Sequence, residues 1–238
     1  MRKAATMGNE IPKVITRQLP NAVVYDMSTP GSVRITLPPT STWSSGLHWH
    51  ESHTEFLKVV KGSIRARVGD TWKVITATNG EQPEVRVDRF VWHEWQRAGP
   101  EGEVVVIERT DPADEEKSIF FWNLNGVILN PPSFLNKYAW APSLVPRFAR
   151  DIFQDFWITL NLFVIFYHLD NFPAFSNAKS LVPIIGKQLD QVASHAILYL
   201  ATWIGWLLGV QPVRQVYTPS GAYDRWWDAR KTKSVKRE

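Results

Sequence analysis

Two histidines one residue apart, His48 and His50, followed by Glu55 and then Gly62, are the residues of this chain whose types and spacing best suit chemistry. On an extended strand, positions i and i+2 point to the same face, so both imidazoles would converge. After a short bend at Ser52–Thr54 the chain can return as a second strand with Glu55 at its start, where its carboxylate would complete a cluster with the two rings. Two neutral imidazoles and a carboxylate suit a borderline divalent transition metal: Fe, Mn, Ni or Zn. Taken alone, the pair would fit equally well a polar strand surface or hydrogen-bonded core histidines.

This stretch resembles the first motif of the cupin family, in which an HxH pair, four intervening residues, a glutamate and a glycine six residues further on bracket a β-hairpin. His48, His50, Glu55 and Gly62 match that spacing. The resemblance implies a third histidine from a second motif, and His93, in Asp88–Arg89–Phe90–Val91–Trp92–His93, stands at a suitable distance. The metal ligands implied are therefore His48, His50, Glu55 and His93. Departures fall on turn residues: Thr42 replaces a glycine before the HxH, Asp88 and Phe90 replace the proline and glycine before the late histidine, and Arg97 replaces the asparagine after it. The resemblance covers roughly residues 30 to 125. It implies a mainly β fold, a cupin-type double-stranded β-helix (jelly-roll barrel).

Other groups near the ligands could take part. His53, at the bend, is a candidate catalytic proton shuttle because an unperturbed imidazole titrates near neutrality; the same position would also suit a solvent-exposed ring. Glu51 and Glu94 are close by. Of the aromatic residues near the ligands, Trp43, Trp49, Phe56, Phe90, Trp92 and Trp95, those sharing a ligand's strand parity should face the same cavity, and the others should pack the barrel. A large apolar pocket would favour a small lipophilic, even aromatic, substrate.

The elements that must position these groups read as short strands between Val14 and Phe121. Val33–Leu37, Phe56–Val60, Ser63–Val68, Trp72–Thr76, Val85–Val87, Val104–Glu108 and Ile119–Trp122 are expected as strands, with turns at Lys61–Gly62, Gly69–Asp70, Asn79–Gly80 and Gly99–Pro100. From about Gly126 the pattern changes, giving two expected units: a barrel with an N-terminal arm over residues 1–125, and residues 126–238 as a proline-rich connector, two hydrophobic helices and a basic tail. The runs Phe156–Leu169 and Gln191–Val213 carry no Asp, Glu, Lys or Arg. Helices apolar on all sides lie in large cores or in membranes, so membrane association through residues 152–213 is expected, as a hairpin dipping from the cytosolic face or as an interfacial attachment. A pair of buried helices packing on the barrel, or forming a homodimer interface, is the alternative. His168 and His195 should then turn toward a partner helix rather than toward lipid.

The absence of cysteine excludes disulfides, thiolate catalysis and Cys-ligated zinc. The N-terminus has a basic start without the apolar core of a signal peptide, so the expected location is cytoplasmic or the cytosolic face of an internal membrane. The net charge of +4 is concentrated at Arg230, Lys231, Lys233, Lys236 and Arg237. No helix-turn-helix, RNP or zinc-finger pattern accompanies it, so nucleic acid is not an expected partner. A single cupin unit with a hydrophobic C-terminal extension is similar to fungal secondary-metabolism cupin-domain oxidoreductases. That layout implies a metal-dependent oxidoreductase acting on a lipophilic, polyketide-like intermediate. A redox-neutral isomerase, cyclase or decarboxylase, or a non-catalytic membrane-tethered binding module, would use the same residues.

Overall fold

A computed structural model describes residues 10–131, 147–175 and 186–235. Its strands are β1 (Val14–Arg17), β2 (Val23–Asp26), β3 (Ser32–Leu37), β4 (His48–Trp49), β5 (Thr54–Lys61), β6 (Ser63–Val68), β7 (Thr71–Thr76), β8 (Glu84–Val87), β9 (His93–Arg97), β10 (Val104–Asp111) and β11 (Phe172–Pro173). They form two antiparallel sheets, ordered β1-β2-β3-β10-β5-β8 and β11-β4-β9-β6-β7. The helices are α1 (Glu116–Leu129), α2 (Arg147–His168), α3 (Gly186–Leu207) and α4 (Ser220–Val235). Two sheets with a helical extension are the architecture that the cupin resemblance implied.

Alternation along the strands builds the interior. Val33, Ile35 and Leu37 of β3 point inward, as do Leu57 and Val59 of β5, Ile64 and Ala66 of β6, and Val104 and Val106 of β10. Burying such side chains contributes roughly 1.5–3 kcal/mol each. Toward one end the inward positions change chemistry while keeping their parity: Glu55 on β5 and Glu108 and Thr110 on β10 are buried too, and Glu55 pairs with Thr110 across the two strands.

The expected β-hairpin is replaced by a crossing. β4 and β5 are consecutive but belong to opposite sheets, so the histidine strand and the glutamate strand face each other across the interior. At Gly62 the chain crosses back between β5 and β6. Its φ is +75°, and a Cβ there would lie 2.6 Å from the Glu103 carbonyl oxygen, so glycine is required on both counts.

Ile119–Trp122 is helical, not a strand: it lies within α1. Tertiary packing overrides its aromatic, β-like composition. α1 is buried on more than one side, through Ser118, Ile119, Phe121, Trp122, Asn123, Asn125, Gly126 and Val127, and packs against β3, α2 and α4. Most of the run Phe156–Leu169 lies in α2, and the run Gln191–Val213 continues past the end of α3 at Leu207. Of the expected connector, 132 and 142–146 lie outside the described residues, as do 176–185 of the membrane run and Lys236 and Arg237 of the basic tail. Among the described residues, no helix is long and apolar enough to cross a membrane.

α3 is inverted relative to an ordinary surface helix. Its buried face is Gly186, Asp190, Ser194, Leu198, Ala201 and Gly205, mostly small or polar. Small residues let the helices approach closely; a Cβ on Gly205 would lie 2.7 Å from Val164 of α2. The large side chains Val192, Tyr199, Leu200, Trp203 and Trp206 face outward, with Trp206 72% exposed.

Candidate metal centre

His48 and His93 are directly paired across β4 and β9. That register sets the ring of the second motif beside the ring of the first, with centroids 4.2 Å apart. His50 lies 5.0 Å from His48 and 5.2 Å from His93 on the same measure. Glu55, arriving from the opposite sheet, places Oε2 2.8 Å from His93 Nε2 and Oε1 3.7 Å from His50 Nε2. One ligand atom from each of the four lies within 4.8 Å of the others, and all four residues are buried. The set expected from the sequence is thus brought together.

The backbone fixes which ring nitrogen faces the centre. Nδ1 of His48 lies 2.8 Å from the Gly46 carbonyl, Nδ1 of His93 lies 3.0 Å from that of Val91, and Nδ1 of His50 contacts that of Asp170. A carbonyl only accepts, so each Nδ1 carries a proton and Nε2 of the same ring is turned toward the centre. Buried Nε2 atoms of His50 and His93 have no hydrogen-bond partner. Burial, followed by the nearby His93 and His50, holds the His48 pKa well below its ordinary value, which keeps that ring neutral. The donor set fits a divalent metal: oriented imidazoles with their second nitrogens anchored, plus one carboxylate.

Beyond the ligands lies Lys117 of α1, a residue the sequence did not single out. Its Nζ donates to Glu55 Oε1 and, at 2.9 Å, to Glu108 Oε2, while Trp95 Nε1 donates to Glu108 Oε1 at 2.8 Å. Burial alone would lift the Glu55 pKa; the Lys117 ammonium and then the two imidazoles outweigh it and hold the carboxyl well below its usual range. Two buried carboxylates against one ammonium leave the centre with net negative charge, which favours a cation. Glu108 had a sequence signal, since it keeps the inward parity of Val104 and Val106. Lys117 had none, because only the docking of α1 brings it to the site.

His53 is not at a solvent-exposed bend: it is 6% exposed. Its Nδ1 lies 2.7 Å from Asp170 Oδ2 and its Nε2 3.1 Å from Asp114 Oδ2. Burial would lower its pKa, but the hydrogen bonds and charges of Asp114 and Asp170 raise it to about 9. Asp170, following α2 in a left-handed conformation with φ +52°, also accepts the backbone N–H groups of Glu51 and Ser52. His195 turns toward Glu51 Oε1 at 2.8 Å rather than toward a helix, whereas His168 meets Arg230 of α4.

A cavity of about 180 Å³ opens onto His48, His50 and His53. Arg17, Glu108, Glu116 and Lys117 supply polar wall, and Tyr25, Trp43, Phe120, Phe121, Leu124 and Phe166 supply apolar wall. Of the aromatic residues expected near the ligands, Trp43 reaches this cavity. Trp95 has ligand parity and is buried in the core, while Trp49 and Trp92 stack on the far side of their strands with Phe172. Phe56 lies beneath the Arg109 guanidinium. Phe90 is half exposed with φ +62°, a left-handed conformation at the position where the cupin motif usually has glycine. Glu94 pairs with Arg67 outside the cavity.

No protein-family model matches the chain, and no curated protein matches it. Solved structures similar to it include a predicted oxalate decarboxylase from Thermotoga maritima (18% identity, 43% of this chain and 92% of that one, TM-score 0.35). KdgF from a Halomonas species is similar over 44% of this chain and 93% of its own at 14% identity and TM-score 0.35. The Drosophila melanogaster CENP-C cupin domain is similar over 42% and 76% at 13% identity and TM-score 0.33.

Proposed function

We propose that this chain is a metal-dependent enzyme of cupin type, an oxidoreductase acting on a small lipophilic molecule of polyketide-like character. The observation that carries the reading is the convergence of one ring nitrogen from each of His48, His50 and His93 on the Glu55 carboxylate, each ring anchored through Nδ1. A divalent ion held by these four residues would polarise a substrate oxygen and, if redox-active, exchange electrons with the substrate. The remaining work falls to the protein. The apolar wall of Phe120, Phe121, Leu124 and Phe166 excludes water and orients a hydrophobic body. Lys117 holds Glu55 and Glu108 in place through its Nζ protons. His53, with Nε2 toward the partly exposed Asp114, offers a proton path between the cavity and solvent.

Isolating the protein from its native host with any co-purified small molecule would supply the substrate for the test. Turnover with oxygen uptake, abolished in Glu55→Gln, is the expected result. Turnover without oxygen uptake would move the reading to a redox-neutral isomerase, cyclase or decarboxylase. Turnover unaltered in Glu55→Gln would leave the barrel a non-catalytic ligand-binding module.

The attachment belongs to the same proposal: α3 lies on the cytosolic surface of an internal membrane without crossing it. Its outward Tyr199, Trp203 and Trp206, flanked by Val192 and Leu200, have the amphipathic aromatic character favoured at lipid interfaces. Such an attachment would set the cavity close to a source of lipophilic substrate.

A further inference from the structure

The cavity beside the metal centre contains a cation that its surroundings orient but do not satisfy. Arg17 of β1 lines it. Its Nε donates to Asn125 Oδ1 at 2.7 Å, and Asn125, fully buried on α1, is itself fixed by donating Nδ2 to the Phe121 carbonyl at 2.7 Å. The guanidinium carbon lies 5.5 Å from the centre of the Tyr25 ring. Both contacts hold the planar fork in one place. Yet Nη2 is buried with no hydrogen-bond partner, and among the described residues no carboxylate forms an ion pair with Arg17. Glu108, on the same cavity wall, is already committed to Trp95 and Lys117.

A buried charged donor without an acceptor is costly, and a ligand that supplies the acceptor recovers that cost on binding. The group that best fits a planar guanidinium fork is a carboxylate, through paired N–H···O bonds. The wall next to Arg17 is aromatic: Tyr25, Trp43, Phe120 and Phe121 all line the cavity. We infer that the cavity selects an aromatic carboxylic acid, its carboxylate on Arg17, its ring against Tyr25 and Phe121, and its other end toward His48 and His50. This deepens the proposed function and rests on its reading of the cavity as the substrate site, but it does not need the metal to be present. Arg17 would be a specificity-determining residue, and Asn125 a positioning residue for it.

Benzoate and its neutral isostere benzamide test the assignment by calorimetric titration into metal-free protein, which keeps the carboxylate off any bound ion. Wild-type protein should bind benzoate at least about tenfold more tightly than benzamide, the scale of one charge-assisted hydrogen-bonded pair. Arg17→Gln should erase that preference by weakening benzoate and leaving benzamide unchanged, with zinc uptake at the wild-type level. Arg17→Lys, which keeps the charge but not the fork and guards against a folding defect in the first variant, should restore only part of the preference. Equal binding of the two probes by wild type, or a preference undiminished in Arg17→Gln or in Arg17→Lys, would overturn the inference. Failure of wild type to take up zinc would instead remove the metal centre and leave the carboxylate result standing.

Discussion

The main-chain carbonyl of Asp170 accepts the Nδ1–H of His50 across 120 positions of sequence. A residue following the second helix thereby sets the tautomer and orientation of a ligand on β4, and its carboxylate at the same time holds His53 and the backbone of Glu51 and Ser52. The helical half of the chain is therefore part of the metal centre. It also forms much of the cavity wall, through Phe120 and Leu124 of α1 and Phe166 of α2.

Asp170→Ala keeps the carbonyl that meets His50 but loses the carboxylate that pins it beside Glu51 and Ser52, and should weaken zinc binding by about 10–100-fold, the usual effect of disturbing a group that orients a metal ligand. The variant removes the carboxylate and places alanine at φ +52°, where a Cβ is strained. Asp170→Asn, which tolerates that conformation and keeps an acceptor, should lose less. Competition against a chromophoric chelator measures both, and an unchanged affinity in Asp170→Ala would show that the Asp170 carboxylate is not what keeps its carbonyl placed against His50.

Acid should destabilise the protein through His168. Burial, then the Arg230 guanidinium, lowers its pKa to about 4, against about 6.5 in an unfolded chain. The unfolded state therefore binds the proton first. The stability this group contributes is complete above pH 6.5 and is lost as pH falls toward 4, by about 3 kcal/mol at pH 4. Urea unfolding of wild type and His168→Gln at pH 7 and pH 4 checks this. The variant should lose less stability than wild type over that interval, and parallel losses would count against it.

Replacing Trp203 and Trp206 of α3 together by serine should abolish sedimentation of the protein with vesicles containing anionic lipid, without lowering its thermal midpoint, because both side chains are exposed. Should wild type ignore the vesicles and instead be a dimer that the double variant dissociates, the outward face of α3 joins two copies of the chain.

Whereas His93 and Gly62 were reached only through the resemblance to the cupin motif, His48, His50 and Glu55 of the ligand set were legible from short-range regularities, strand parity and one bend. The alternation of β3, β6 and β10 was legible for the same reason. α1 was not. It buries side chains on more than one side, so its sequence carries no single apolar stripe, and Ile119–Trp122 has the composition of a strand. Lys117, Asp170 and Arg17 escaped notice because each acquires its role from a partner far away in sequence, Glu55, His50 and Asn125 respectively. The crossing of β4 and β5 to opposite sheets was likewise hidden, since a bend of a few residues serves a hairpin and a sheet-to-sheet crossing equally well.

The most direct test of the account is the metal content, by elemental analysis, of protein purified without chelators, in wild type and in His93→Ala. His93 comes from the second motif and joins the cluster only through its pairing with His48 across β4 and β9. The account predicts a divalent transition metal near stoichiometric occupancy in wild type and its loss in the variant. Wild-type protein that takes up no such ion when it is supplied, or a variant that keeps its metal unchanged, would contradict it.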